Sequence, residues 1–151
     1  MIRILFVCHG NICRSTMAQS IFQYMVNNEG LSDCFEIDSA ATSTEEIGNP
    51  PHYGTAEELS KHNIPLIPHR ARQLTQDDEV RYDYLIGMDS ANIRNMRRIV
   101  GNSEKIYKLM SFADLEKDLA DPWYTDNFAQ TYTDIKLGCT KLLEKLIELD
   151  G

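Results

Sequence analysis

No stretch of the 151 residues approaches the ~18 consecutive apolar positions that a membrane-spanning helix needs. The apolar run near the start, Ile4 to Val7, gives way at once to polar residues and is too short for a secretory signal core. Basic residues are scarce. Fifteen Lys and Arg against 23 Asp and Glu leave a formal net charge of -8, with a pI of about 4.9. That balance argues against nucleic acid or an anionic membrane surface as the main partner. It does not argue against an anionic ligand, because a small pocket on an acidic protein is free to be locally positive. Cysteine is sparse too: Cys8, Cys13, Cys34 and Cys139. Cys34 and Cys139 lack a metal-type spacing partner, and His9, His52 and His62 suggest no compact zinc ligand set. Repeats and low-complexity segments are absent. A chain of this length builds one core without disulfides. The expectation is a single domain over residues 1–151, cytoplasmic, with reduced thiols and no metal.

What is present is an alternation of strand and helix. The apolar content of 42% and charged content of 25% suit a globular domain. Ile2 to Val7, broken only by Arg3, suits a strand buried on both faces. Met17, Ala18, Ile21, Phe22, Met25 and Val26 then fall at helical spacing, with Gly30 placed to end the helix. Phe35 to Ala40 reads as a second strand and Ala41 to Tyr53 as a long loop. Thr55 to His62 reads as a helix, Tyr82 to Met88 as a third strand, Ser90 to Val100 as a helix and Lys105 to Leu109 as a fourth strand. Arg94, Arg97 and Arg98 fall on the solvated face of one helix. In the last helix Phe128, Tyr132, Ile135, Cys139, Leu142, Leu143, Leu146 and Ile147 recur at steps of three and four, with Asp126 as the expected N-cap. Such alternation implies a parallel sheet covered by helices on both faces. Ligands of such folds bind beyond the carboxyl ends of the strands.

The loop after the first strand is Cys8-His9-Gly10-Asn11-Ile12-Cys13-Arg14-Ser15. Taken singly, Cys8 reads as a small core residue and Arg14 as the start of a surface helix. Taken together, between a buried strand and a helix, they describe an anion cradle. The five residues between them wrap with their N–H groups inward, and Gly10 and Asn11 tolerate the positive φ expected of such a wrap. The helix start adds free N–H groups, and Arg14 adds a planar fork for two phosphate oxygens. A Walker-type loop is excluded, since no Gly-Lys-Ser/Thr occurs. Free thiols are mostly protonated at neutral pH. Keeping a thiolate through ~3 pH units takes about 4 kcal/mol, whereas a helix terminus supplies about 0.3–2 kcal/mol. The N–H donors, Arg14 and the Ser15 hydroxyl must therefore share the task.

An aryl phosphate also needs a proton for its leaving oxygen. Among the acidic residues Asp121 has the best local setting. Pro122 stiffens its segment, and Trp123 and Tyr124 follow as flat walls for a ring. On these residues alone, Asp-Pro serves equally well as a turn.

With its Cys-x5-Arg-Ser loop and Gly-Asn-Ile-Cys interior, the sequence resembles the low-molecular-weight protein tyrosine phosphatases. Asp38-Ser39-Ala40-Ala41-Thr42-Ser43, Ile47-Gly48-Asn49-Pro50-Pro51, Ala71-Arg72-Gln73, Met88-Asp89 and Asp121-Pro122 follow in family order. The resemblance covers nearly the whole chain. It implies a three-layer α/β/α fold with a four-stranded parallel sheet in the order 2-1-3-4. The implied activity is hydrolysis of phosphotyrosine in a protein or peptide, without a cofactor, releasing inorganic phosphate. Cys8 is then the nucleophile, Arg14 the phosphate clamp, Asp121 the general acid and base, and His9 to Cys13 the phosphate-binding loop. Asn11, Ser15, Ser39 and His69 hold the loop and thiolate, with Asp89 orienting His69. The resemblance also suggests a reversible Cys8–Cys13 disulfide; the residues alone allow that Cys13 merely packs beneath the loop.

Two positions depart from the family. Glu45 stands where an aromatic rim residue is usual, which implies weaker affinity for acidic phosphopeptides. Trp123 stands where Tyr is usual, which keeps a wall but alters its shape. An arsenate reductase of the same fold would need redox cysteines after the third strand, and Tyr82 to Arg98 contains none. A phosphoryl-carrier or phosphate-sensing module needs neither Asp121 nor the Arg14 fork. A monomer is expected, since no association stripe is visible.

Overall fold

In the first strand, β1 (Ile2–Cys8), side chains alternate between two cores. Ile4 and Phe6 enter one and Leu5 and Val7 the other, and all four are fully buried. That double burial is why the strand is a nearly unbroken apolar run. The structure, a computed structural model, describes residues 1–150.

Along the chain, β1 is followed by α1 (Arg14–Asn28), β2 (Phe35–Ala41), α2 (Tyr53–Lys61), α3 (Gln76–Arg81) and β3 (Tyr84–Gly87). Next come α4 (Ser90–Val100), β4 (Ile106–Lys108), α5 (Pro122–Thr125) and α6 (Phe128–Asp150). The four strands form one parallel sheet in the order β2-β1-β3-β4, as expected. Ile2 pairs with Phe35 through to Cys8 with Ala41, and Ile4 pairs with Tyr84 through to Val7 with Gly87.

Helices cover both faces. Met17, Ile21 and Phe22 of α1, Leu59 of α2, and Ile135, Cys139 and Leu142 of α6 pack on Ile4 and Phe6. Met96 of α4, with Leu74 and Tyr82 on either side of α3, packs on Leu5, Val7 and Leu85. Helix α2 lies so close to α6 that a Cβ on Gly54 would sit 2.4 Å from the Phe128 ring. From β1 the chain leaves one way to β2 and later returns to β3 on the other side. The carboxyl end of β1 is therefore the switch point, where the cradle was expected.

Several boundaries differ from the sequence reading. Helix α3 was not anticipated. It lacks apolar periodicity, and a capping box between Thr75 and Asp78 starts it. Strand β3 is correspondingly shorter than Tyr82 to Met88. Asp126 does not cap α6: it adopts φ 58° at the end of α5. Asn127 Oδ1 instead accepts from Gln130 N at 3.0 Å. The four residues after Asp121 form a helical turn of their own, ended by Asp126, which moves the cap one residue on.

Candidate active site

Cys8 ends β1, and α1 begins at Arg14, so the intervening residues turn tightly at the switch point. The turn needs one left-handed residue, and it is Asn11, at φ 60°. Gly10 does not take a positive φ. Its value is room, because a Cβ there would touch Glu46 Cγ at 3.4 Å.

Cys8 Sγ faces two groups. Asn11 N donates to it at 3.3 Å, and it lies 3.1 Å from Ser15 Oγ. The orientation of Ser15 follows from a chain of fixed donors. Arg72 N, which has only a proton to offer, donates to Asn11 Oδ1 at 3.3 Å, as does His69 Nε2 at 2.7 Å. The Asn11 amide nitrogen must then point to Ser15 Oγ, where it donates at 2.7 Å. That leaves the Ser15 O–H free to turn toward Cys8 Sγ. Ser39 joins the same network: its Oγ donates to Gln19 Oε1 at 2.5 Å and lies 3.3 Å from His69 Nε2. Burial lowers the pKa of His69, Asp38 opposes this and Arg72 reinforces it.

Arg14 is almost wholly buried. Its Nη1 donates to Asp89 Oδ2 at 2.6 Å and to the Leu119 carbonyl at 2.9 Å, and its Nη2 lies 3.4 Å from Asp121 Oδ2. Burial works against the charge, yet Cys8, the hydrogen bond to Asp89 and the nearby Asp121 outweigh it and raise the pKa. Nε is buried without a hydrogen-bond partner among the described residues. A buried, unpaired donor is costly. With Nη1 held from behind, Nε and Nη2 are the less engaged donors of the guanidinium. Asp89 thus serves Arg14 and, through Asn92 N at 2.7 Å, the start of α4; its partner is not His69. His69 Nδ1 faces Asp38 instead, at 3.6 Å.

Asp121 caps α5, with Oδ1 accepting from Trp123 N at 3.0 Å. It shares a cleft with Cys8, His9, Gly10, Ile12, Cys13, Glu45, Trp123 and Tyr124, so the nucleophile, loop and wall expected from sequence come together. The cleft has a volume of about 90 Å³. Trp123 is steadied by the edge of His52, with ring centres 5.6 Å apart, and His52 is stacked on Phe128. Cys13 is a poor rival to Cys8: burial first, then the neighbouring Cys8 and Asp121, push its thiol up to about 12. Among the described residues no three His, Cys, Asp or Glu side chains gather as a metal site.

Sequence reasoning missed Glu46 on the rim, the Leu119 carbonyl behind Arg14, and the support that Arg72, Asp38 and Gln19 give the loop. The Ala71-Arg72-Gln73 segment was noticed, but not that its backbone sets the sense of Asn11.

A model of the low molecular weight phosphotyrosine protein phosphatase family matches residues 3–149. Among curated proteins, the low molecular weight protein-tyrosine-phosphatase YfkJ of Bacillus subtilis is 42% identical, covering 97% of this chain and 96% of its own. The low molecular weight phosphotyrosine protein phosphatase of Rattus norvegicus is 41% identical over 94% of each. The crystal structure of YfkJ from Bacillus subtilis superposes with a TM-score of 0.96 at 40% identity, covering 100% of this chain and 98% of that one.

Proposed function

The chain belongs to the low molecular weight phosphotyrosine protein phosphatase family, and on that premise we propose that it hydrolyses phosphotyrosine in proteins through a cysteinyl-phosphate intermediate. The observation that carries this reading is the convergence of Cys8 and Asp121, from opposite ends of the chain, on one cleft, with Arg14 Nη2 3.4 Å from Asp121 Oδ2.

The phosphoryl group sits on residues 8–14, its oxygens taken by loop N–H groups and the Nε–Nη2 edge of Arg14. The Cys8 thiolate attacks phosphorus in line. The bond from phosphorus to the phenolic oxygen breaks, and Asp121 gives that oxygen its proton. Asn11 N and the Ser15 hydroxyl, which steady the sulfur beforehand, also stabilise it as the leaving group in the second step. There a water attacks phosphorus and passes a proton to Asp121. The S–P bond breaks, and inorganic phosphate leaves with Cys8 again ionised. Arg14 follows the equatorial oxygens in both steps.

The test is turnover of p-nitrophenyl phosphate and of a phosphotyrosine peptide, with and without EDTA. The expected result is turnover that EDTA leaves intact and that Cys8→Ser abolishes. Full activity in Cys8→Ser would overturn the scheme. The rival readings lose ground on particular residues. Cys139 is fully buried under α1 and Cys34 is exposed beside β2, so neither is placed to relay electrons from Cys8. A phosphate carrier has no use for Asp121 in the cleft. A cytoplasmic monomer completes the proposal; no helix among the described residues is long and apolar enough to cross a membrane.

A further inference from the structure

The loop between β2 and α2, which rims the cleft, is tied to the cradle at both ends. Thr42 N donates to Cys8 O at 2.9 Å and Ser43 N to His9 O at 3.0 Å; at the far end His52 N donates to Ile12 O at 2.8 Å. Gly48 N to Ala71 O, at 2.8 Å, pins the middle. Glu45 and Glu46 are thus held at the mouth, and both line the cleft. Their positions have no evident structural use. Glu45 is largely exposed, and its one partner, His9 Nε2 at 3.0 Å, is itself substantially exposed. Such a pair adds little to stability. Glu46 packs its stem over Gly10 and accepts from Asn49 Nδ2 at 2.6 Å, a neutral donor. Among the described residues no cation lies within ion-pair reach of Glu46.

Two carboxylates at the mouth of a site for a phosphate dianion repel the substrate's own charge, whatever its sequence. They attract a cation carried beside the phosphotyrosine. We propose that Glu45 and Glu46 form an acidic lip that selects phosphotyrosine sites flanked by lysine or arginine over sites flanked by aspartate or glutamate. The lip presupposes the phosphatase reading above and names its preferred substrate class. The cleft's aromatic lining, Trp123 and Tyr124, grips the ring and leaves discrimination by charge to the lip.

The experiment compares two phosphotyrosine peptides that differ only in having Lys or Asp at the neighbouring positions. The ratio of their kcat/KM values is read within each protein, so any change in overall activity cancels. At low ionic strength the parent prefers the lysine peptide by about three- to tenfold, the span expected for two solvent-exposed charge pairs. Glu45→Gln and Glu46→Gln each narrow the ratio, the double variant brings it close to one, and 0.5 M salt narrows it in the parent. Glutamine keeps the contacts to His9 and Asn49 possible, so the loop keeps its anchors. An unchanged ratio in the double variant, or equal rates on both peptides in a parent that turns over p-nitrophenyl phosphate, overturns the lip and leaves the phosphatase standing. A parent that turns over neither peptide nor p-nitrophenyl phosphate overturns both.

Discussion

Asn11 Nδ2 donates to Ser15 Oγ at 2.7 Å, and this bond leaves the serine's proton uncommitted beside Cys8 Sγ, 3.1 Å away. It fills one of the two lone pairs of Oγ, and the hydroxyl keeps its proton to give to Cys8. Ser15→Ala removes a donor to a charged sulfur, an interaction worth about 1.5–3 kcal/mol. The expected outcome is a ~10- to 100-fold fall in kcat with KM little changed. Asn11→Ala should behave alike, because the hydroxyl loses its orientation. Stopped-flow turnover of p-nitrophenyl phosphate checks both. If both steps rely on the steadied thiolate, the intermediate forms and decays more slowly in each variant.

Asp121→Ala should cost most where the leaving group is poor. General acid catalysis typically contributes 10²–10⁴-fold, so phosphotyrosine turnover should fall within that span. An aryl phosphate with a far more acidic phenol should lose much less. A plot of kcat against leaving-group acidity, flat in the parent and steep in the variant, is the measurement.

Arg14 and Asp89 form a pair at 2.6 Å with little solvent around the arginine. Asp89→Ala leaves a buried guanidinium with only the more distant Asp121 as counter-charge and strips the cap from α4. Breaking a buried pair costs about 3–5 kcal/mol, and losing a cap about 1 kcal/mol. Asp89 is itself partly exposed, so destabilisation of about 3 kcal/mol is expected by urea denaturation. Arg14→Lys, which keeps the charge but loses the fork, should instead fold well and lose phosphate affinity, measured by calorimetry.

The four thiols should separate cleanly. Cys13, pushed up to about 12, stays protonated through any ordinary assay pH, and burial also raises the pKa of Cys139. Iodoacetamide at pH 7 should label Cys8 and the exposed Cys34, with vanadate or phosphate protecting Cys8 alone. Cys13 and Cys139 should react only in denaturant. Peptide mass spectrometry reads all four. Labelling of Cys13 in native protein would contradict this.

His69 gives a pH signature in stability. Its pKa is lowered on folding, chiefly by burial, so between the folded and unfolded values the unfolded chain binds more protons. Stability from this group is therefore full above the ordinary histidine value near 6.5 and declines as pH falls below it. Urea midpoints from pH 7.5 down to pH 5 should fall less in His69→Gln than in the parent.

The cradle was legible because its chemistry is local: Cys8 to Ser15 are contiguous, and the strand before and helix after announce themselves by pattern. The sheet order followed from resemblance rather than spacing, whereas the wall at Trp123 was read from the residues beside Asp121. What escaped was long-range or faint. That Asp89 faces Arg14 rather than His69 depends on how β3 lies beside β1, which no local pattern encodes. Helix α3 lacked an apolar face, although Thr75 and Asp78 carried its capping signal in plain view. The φ of Asn11 was anticipated and that of Gly10 was not found, since one left-handed residue suffices. Glu46 escaped because its importance depends on the missing side chain of Gly10, thirty-six positions earlier.

Leu119, whose carbonyl grips Arg14 and whose N–H reaches Met88 O at 3.0 Å, stations the acid-bearing segment from more than a hundred positions away. On the proposed scheme, cutting this backbone tie shifts the Asp121 segment while the Cys8 loop stays anchored, so it slows proton transfer more than it weakens phosphate binding.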